Sequence, residues 1–114
     1  MPAGFIPARG DLVWLQFNPQ AGREQAGGKP ALVISPRSYN KKVGLALFCP
    51  ITSKVKKYPF EVELPRGSEV SGVVLSDQIK SLDWRSRDAS RLGVVSRSVL
   101  EEVLAKIMTL VEFD

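Results

Sequence analysis

The hydrophobic residues of this chain occur in short runs, and polar segments rich in glycine and proline separate these runs. Short apolar runs bounded by turn-forming residues are typical of β-strands. Strands are predicted at residues 10–17, 30–36, 45–51, 59–64 and 73–84. The fourth run alternates apolar residues with Glu61 and Glu63, as a half-buried strand does. The fifth predicts one bent strand or two strands joined near Asp77.

The segments between these runs are predicted to be irregular. Loops are predicted at residues 18–29 and 52–58, a turn at 37–44, and a basic connection with one helical turn at 85–93. Pro30 and Pro36 bracket the second strand. Because proline has no N–H to donate, we expect neither residue to extend a central β-ladder.

From Ser96 onward the apolar residues recur every three or four positions, which predicts an amphipathic helix of about four turns. Its apolar positions are Leu100, Val103, Leu104, Ile107, Leu110 and Val111. Ser98 and Glu101 have the spacing of an N-terminal capping box. Several short strands closed by one helix predict a mainly β fold, a compact barrel with a C-terminal helix. The length fits one domain over residues 1–114.

Composition narrows the chemistry that is available. The 114 residues carry a formal net charge of +4, with a pI of about 9.5, and this mild excess favours polyanionic partners. The chain has no histidine, which excludes Ser-His-Asp triads and most zinc sites. We therefore predict no metal and no cofactor, and catalysis would depend on Glu, Asp, Lys, Arg, Thr, Ser or Tyr.

Cysteine content and hydropathy bear on the cellular compartment. The single cysteine, Cys49, cannot form an internal disulfide. It fits a reducing cytoplasm and is predicted to pack as a small hydrophobic residue inside a strand. The apolar runs are far shorter than the roughly 20 residues of a membrane helix, and the N-terminal residues show no export signal. The sequence therefore predicts a cytoplasmic protein without membrane contact.

The two long loops flank the predicted strands 30–36 and 45–51. If those strands are antiparallel neighbours, the loop before the first and the loop after the second emerge at the same end. Loops of this length in a compact domain are often functional. This arrangement would bring Glu24 and Lys29 close to Thr52.

These residue types suit RNA cleavage without metal or histidine. Such cleavage needs a base for the 2′-hydroxyl proton, a cation for the charged phosphorane, and a proton for the leaving oxygen. Glu24 can act as the base, Lys29 can supply charge and a proton, and Thr52 can hydrogen-bond a non-bridging oxygen. Spacing alone leaves the alternative open that Glu24 and Lys29 are ordinary solvated surface charges.

The residues around this corner could hold an RNA strand. The amides of Gly27 and Gly28 could approach a phosphate, since glycine has no Cβ. The lysines of residues 54–57 could bind flanking phosphates, and Tyr58 or Phe60 could stack a base. A solvated basic edge is the alternative for the lysines, and Trp14 and Trp84 are predicted in the core or an interface. Asp77, inside an apolar stretch, must face solvent, a partner or a site.

Four stretches are similar to a known family. They are GDLVWLQFNPQAGREQAGGKPALVISPRSYN, PITS, YPFEV and SDQIKSLDWRSR. Together they resemble the MazF/PemK (Kid) family of toxin ribonucleases from bacterial toxin–antitoxin modules. The resemblance extends from about Ile6 to Val111.

This resemblance implies a fold and an activity. The implied fold is a small SH3-like barrel of the MazF/CcdB toxin type with a C-terminal α-helix, and the implied assembly is a homodimer. Family members cut single-stranded RNA at short sequences without metal and leave a 2′,3′-cyclic phosphate and a 5′-hydroxyl. A cognate antitoxin neutralises the toxin by laying an acidic tail across the RNA site.

The resemblance also assigns roles to matched positions. It predicts Glu24, Lys29 and Thr52 as catalytic residues, and Asp77 and Gln78 match the positions where the related plasmid toxin places acid–base function. The predicted RNA-binding residues are Gln25, Gly27, Gly28, Ser53, Lys54, Lys56, Lys57, Tyr58, Asp77, Gln78, Arg85 and Arg87. The family commonly has arginine where this chain has Lys29. Because arginine offers a fixed fork and lysine a point charge, we expect an altered rate or pH profile.

Two other functions remain open at this level. One is a toxin of the same fold that binds a protein target such as gyrase, which would need no acid–cation pair. The other is an RNA-binding regulator whose catalysis is weakened by Lys29. Apolar positions on strand 45–51 and on the terminal helix are the candidate dimer faces, and loops 18–29 and 52–58 are expected to set cleavage specificity.

Overall fold

The computed structural model describes residues 5–17 and 27–113, which form one seven-stranded sheet and two helices. The strands are β1 Asp11–Gln16, β2 Gly28–Val33, β3 Leu45–Thr52, β4 Glu61–Glu63, β5 Val73–Leu75, β6 Lys80–Asp83 and β7 Ser90–Val94. The helices are α1 Arg37–Val43 and α2 Arg97–Val111. The predicted mainly β fold with a C-terminal helix is confirmed.

All strand pairs are antiparallel, and the sheet follows the order β4-β5-β3-β2-β1-β7, with β6 also paired to β3. β3 changes partner along its length, since Leu45–Phe48 pair with β6 and the last two residues pair with β5. Pro50 lies between these two segments, so its missing N–H falls outside the ladders with β6 and β5. Within the described residues β4 and β7 do not pair with each other, so the sheet curls without closing into a complete barrel.

Both faces of the central strands are buried. Leu12, Leu32 and Cys49 pack on one face with Val99 and Val103 of α2. The alternate residues pack into a second cluster on the other face, made of Val13, Leu15, Phe17, Ala31, Val33, Ala46, Phe48 and Trp84. Successive side chains of a strand point to opposite faces, so burial on both faces explains why these strands appear as unbroken apolar runs. A single domain over residues 1–114 stays a prediction.

The predictions for residues 30–36 and 37–44 need correction. β2 begins at Gly28, so Pro30 lies inside the strand, opposite Trp14. The ladder with β3 starts one residue later, at Ala31, so the proline costs no hydrogen bond there. The predicted turn is helix α1. Its buried residue, Asn40, is polar, so the helix has no apolar stripe to detect in the sequence.

The predictions for residue 85 onward also need correction. The predicted basic connection contains strand β7, which pairs with β1. Four of its five residues are exposed, so the sequence lacks apolar alternation.

α2 is capped by Ser96, whose hydroxyl accepts the Val99 N–H at 3.3 Å, and the predicted capping box of Ser98 and Glu101 is wrong. In the described part of the chain, neither helix has the length and hydropathy to cross a membrane.

Candidate active site

The pairing of β2 with β3 brings Lys29 and Thr52 to the same end of the sheet. Ala31 pairs with Pro50 in an antiparallel ladder, so the residues two positions before Ala31 and two positions after Pro50 lie beside each other. Lys29 and Thr52 both line a cavity of about 590 Å³. The predicted proximity of these two residues is confirmed, whereas Glu24 and Gln25 lie outside the described residues.

The cavity is strongly basic. Its described lining residues include Lys29, Lys54, Lys56 and Lys80, against one carboxylate, that of Glu61. An excess of ammonium groups around one cavity favours an anionic ligand, and phosphate oxygens are such a ligand. Lys80 was missed by the sequence analysis, although it belongs to the quoted SDQIKS stretch. Its ammonium lies 5.9 Å from the ring centroid of Phe17, which also lines the cavity.

The hydroxyl of Thr52 is oriented by the backbone that follows it. Its Oγ1 accepts the N–H of Lys54 at 3.1 Å. A hydroxyl that accepts one hydrogen bond still has its own proton to donate. Because Thr52 is partly exposed at the cavity, this proton is available to a ligand oxygen, as the predicted role requires.

Residues 53–60, which we call the lysine loop, form one wall of the cavity. The carboxylate of Glu61 accepts the N–H groups of Lys56 at 3.0 Å and Lys57 at 2.9 Å. The ammonium of Lys106 on α2 donates to the carbonyl of Pro59 at 2.6 Å. These anchors hold the loop at its C-terminal end. Neither the Glu61 anchor nor the Lys106 anchor was predicted from the sequence. The alternation of residues 59–64 predicts that Glu61 faces solvent.

The turn between β5 and β6 forms another wall. Leu75 and Gln78 line the cavity, and Gln78 donates its N–H to the Leu75 carbonyl at 3.1 Å. The Tyr58 hydroxyl of the lysine loop donates a hydrogen bond to Oδ2 of Asp77. Asp77 is not among the described residues that line the cavity, and its Oδ1 is buried with no hydrogen-bond partner in residues 5–17 and 27–113.

Gly28 serves Trp14. A Cβ at position 28 would lie 2.1 Å from Nε1 of Trp14, so glycine is needed for the indole to lie against the backbone of β2. Neither Gly27 nor Gly28 is among the described lining residues. Trp14 is 43% exposed, whereas Trp84 is buried and donates its indole N–H to the Asn40 carbonyl at 3.1 Å. The prediction of a core position is confirmed for Trp84.

The two predicted RNA-binding arginines lie away from the cavity lining. Arg87 donates from Nη1 to the carbonyl oxygens of Gln16, at 2.9 Å, and Phe17, so it holds the end of β1. Arg85 stacks on Trp84 with its guanidinium carbon 4.8 Å from the ring centroid. Lys57 is exposed and likewise absent from the described lining. Of the predicted RNA-binding residues, the cavity brings together Ser53, Lys54, Lys56, Tyr58 and Gln78.

Cys49 of β3 is a free thiol. It is fully buried, and burial together with the negative charge of Asp77 raises its pKa from 9.0 to about 12. A thiol reacts as a nucleophile through its thiolate, so Cys49 is inert at neutral pH. The prediction that it packs as a small hydrophobic residue within a strand is confirmed.

Comparison with known proteins identifies the family. The profile of the PemK-like, MazF-like toxins of type II toxin–antitoxin systems matches residues 8–111. The chain belongs to this toxin family. The predicted resemblance is thereby confirmed over nearly all of its stated range.

This PemK/MazF-like toxin is similar to several known proteins over most of their length. The endoribonuclease toxin MazF of Escherichia coli K12 is 47% identical over 111 residues, which are 97% of this chain and 99% of the relative. The endoribonuclease PemK of Escherichia coli is 32% identical over 106 residues, 90% of this chain and 80% of the relative. MazF in a MazE–MazF crystal structure from Deinococcus radiodurans is 47% identical, with a TM-score of 0.86 over 96% of this chain and 99% of that one.

Among the described residues of the toxin, no group of three or more Cys, Asp and Glu side chains is arranged to hold a metal ion. The charged groups that line the cavity are mainly ammonium groups, which repel cations. The described part of the site therefore suits direct binding of phosphate by lysine and hydroxyl groups.

Proposed function

We propose that this toxin is an endoribonuclease that cuts single-stranded RNA in the cavity where β2 and β3 end. The observation that carries the proposal is the common position of Lys29 and Thr52 on a cavity lined by three further lysines. The relatives named as endoribonucleases, which match most of this chain, support RNA cleavage as the activity. The alternative of a protein-binding toxin would leave this concentration of phosphate-binding groups without a role.

The proposed reaction is attack of the RNA 2′-oxygen on the adjacent phosphorus. Glu24 takes the proton of the 2′-hydroxyl, the new bond from the 2′-oxygen to phosphorus forms as the P–O5′ bond breaks, and the leaving 5′-oxygen takes a proton from water. Lys29 stabilises the negative charge that builds on the phosphorane, and the Thr52 hydroxyl donates a hydrogen bond to a non-bridging oxygen. The products are a 2′,3′-cyclic phosphate and a 5′-hydroxyl, and no metal is required.

The cavity walls hold the nucleotides on either side of the cut. Lys54, Lys56 and Lys80 line the cavity and bind flanking phosphates. The ring of Tyr58 is exposed and offers a base an aromatic face for stacking. Ser53 and Gln78 present polar groups to base edges, which makes them candidates for sequence recognition.

The proposed partners follow from the same surfaces. A cognate antitoxin inhibits the toxin, in line with the MazE–MazF complexes among the similar structures, and an acidic segment of it would complement the lysines of the cavity. A homodimer is proposed through α2, because Met108, Leu110 and Val111 are exposed. On the other candidate face, β3, Ala46, Phe48, Cys49 and Ile51 are buried within this chain whereas Leu45 and Leu47 are partly exposed, so this face stays a prediction. Action on cellular RNA supports a cytoplasmic location.

The test is cleavage of a long single-stranded RNA in EDTA, with the ends mapped by primer extension. We expect discrete cuts at a short recurring sequence, lost in Glu24→Ala and Lys29→Ala. Lys42→Ala is the matched control, because Lys42 is exposed on α1 and outside the described lining. RNA that binds but stays intact would contradict the proposal in favour of an RNA-binding regulator. Absence of binding would favour a protein target.

A further inference from the structure

Within the described part of the chain, one side-chain hydrogen bond joins the lysine loop to the β5–β6 turn, from the Tyr58 hydroxyl to Oδ2 of Asp77, next to a backbone bond from the Ser76 N–H to the Phe60 carbonyl at 3.0 Å. We propose that Asp77 is a positioning residue, which holds Tyr58 and thereby fixes the lysine loop along the cavity wall. The inference rests on the proposed ribonuclease function and adds to it a specific role for Asp77. It differs from the acid–base role that the resemblance implied for this position.

The location of Asp77 separates it from the reacting groups. Its neighbours Leu75, Gln78 and Lys80 line the cavity, whereas Asp77 itself does not, and Tyr58 does. The Asp77 carboxylate contacts Tyr58, and Tyr58 lines the cavity. The carboxylate therefore affects a bound ligand through the position of the Tyr58 ring. A group that touches the cavity only through another side chain is suited to positioning.

The hydrogen bond is also valuable to Asp77. Oδ1 of this carboxylate is buried and has no hydrogen-bond partner among the described residues. The Tyr58 hydroxyl bonds the other oxygen, Oδ2, and is the one described donor to this carboxylate, so its loss would leave a partly buried carboxylate without a described hydrogen bond, which is costly. The bond therefore stabilises both the turn and the loop.

The lysine loop is held near Tyr58 mainly through its backbone, including the bond from the Glu61 N–H to the Tyr58 carbonyl at 3.0 Å. Residues 53–59 are all exposed, so packing against the core does not determine their path. Glu61 and Lys106 anchor the backbone of Lys56, Lys57 and Pro59. These backbone anchors do not determine the direction of the Tyr58 side chain, which is set by its ring contact with Phe60 and by the hydrogen bond from its hydroxyl to Asp77. Since Lys54 and Lys56 lie on the same loop, their ammonium groups depend on this tether.

Tyr58→Phe, Asp77→Ala and Asp77→Asn separate positioning from catalysis. Tyr58→Phe keeps the ring and its edge-to-face contact with Phe60, 6.2 Å between centroids, but removes the hydroxyl. Asp77→Asn keeps an oxygen that can accept the Tyr58 proton. Tyr39→Phe is the matched control, because Tyr39 and Tyr58 are both 40% exposed and Tyr39 lies on α1.

The first readout needs no RNA. Trypsin cleavage after Lys54, Lys56 and Lys57 is followed by mass spectrometry in each intact variant. We expect cleavage to rise roughly fivefold to tenfold in Tyr58→Phe and Asp77→Ala. Asp77→Asn and Tyr39→Phe should match the wild type, and the double variant Tyr58→Phe/Asp77→Ala should match the single variants. Unchanged loop proteolysis in both Tyr58→Phe and Asp77→Ala would overturn the inference.

The second readout is cleavage of a short fluorogenic RNA that carries the mapped cut sequence. Tyr58→Phe and Asp77→Ala should raise KM roughly fivefold to tenfold while kcat stays within about twofold. A fall in kcat of about 100-fold in Asp77→Asn, with normal loop proteolysis, would instead make Asp77 an acid–base catalyst. A wild-type toxin that cuts no RNA would contradict the proposed function, while the tryptic pattern would still decide whether Asp77 tethers the loop.

Discussion

Lys29 at the start of β2 and Thr52 at the end of β3 lie at the same end of two adjacent antiparallel strands and line one cavity. The backbone hydrogen bonds of the sheet therefore determine the relative positions of the Lys29 and Thr52 Cα atoms. Groups placed on paired strands keep their geometry better than groups placed on loops. The lysine loop and the β5–β6 turn then complete the walls around this rigid pair.

Exchange of the cation at position 29 distinguishes charge stabilisation from proton donation. Lys29→Ala should lower the single-turnover cleavage rate roughly 100-fold or more, because one stabilising group of the phosphorane is lost. Lys29→Arg should stay within about tenfold of the wild type, since arginine keeps the positive charge. Lys42→Arg serves as the control on an exposed helix. An arginine variant as slow as the alanine variant would make Lys29 the proton donor, because arginine does not release its proton.

Replacement of Gly72 should displace Thr52. Gly72 has a φ of +122°, and a Cβ there would lie 2.3 Å from the backbone oxygen of Thr52. Gly67 has a φ of +89° with open space around it, so Gly67→Ala measures the conformational cost alone, about 1–2 kcal/mol. Gly72→Ala should lose at least about 1 kcal/mol more in urea unfolding and should also cut RNA more slowly. Equal stabilities of the two variants would contradict the predicted clash.

The buried thiol predicts a loss of stability in alkali. Below pH 9 the Cys49 thiol is protonated in both the folded and the unfolded chain. Above pH 9 the unfolded chain releases this proton while the folded chain keeps it up to a pKa of about 12, so unfolding is favoured as pH rises.

Urea unfolding of the wild type and Cys49→Ala measures this effect. The stability advantage of the wild type should be constant from about pH 7 to 9 and then shrink by about 1.4 kcal/mol per pH unit. Cys49→Ala itself controls for the titration of all other groups. A constant difference up to about pH 10.5 would mean that the folded and unfolded thiols titrate alike.

The N-terminal cap of α2 can be assigned by two serine variants. Ser96→Ala removes the acceptor of the Val99 N–H and should cost about 1 kcal/mol in urea unfolding. Ser98→Ala is the control, with a cost under about 0.5 kcal/mol, because the Ser98 hydroxyl does not cap the helix. The opposite ranking would restore the capping box of Ser98 and Glu101.

Strands with strong apolar runs were predictable from sequence, and weakly patterned elements were not. β1 and β3 appear nearly at their predicted bounds because both of their faces are buried. β7 was missed because most of its residues are exposed and its pairing with β1 is a long-range event. α1 was missed because its buried residue is Asn40, whose amide donates to the Pro7 and Ser35 carbonyls. The strand that pairs with β7 and the carbonyl groups that bind Asn40 leave no periodic pattern in the sequence of β7 or α1.

The sequence by itself determined the family, the mainly β class and the chemistry available without histidine, since these depend on residue types and local spacing. It also indicated that Lys29 and Thr52 would meet, because antiparallel pairing of two neighbouring strands leaves one arrangement of their ends. Only the tertiary structure decided that Lys80 joins the cavity, that Arg87 holds β1 and that Asp77 holds Tyr58. Those roles depend on where side chains distant in sequence come to lie, and this is determined by packing of the whole chain.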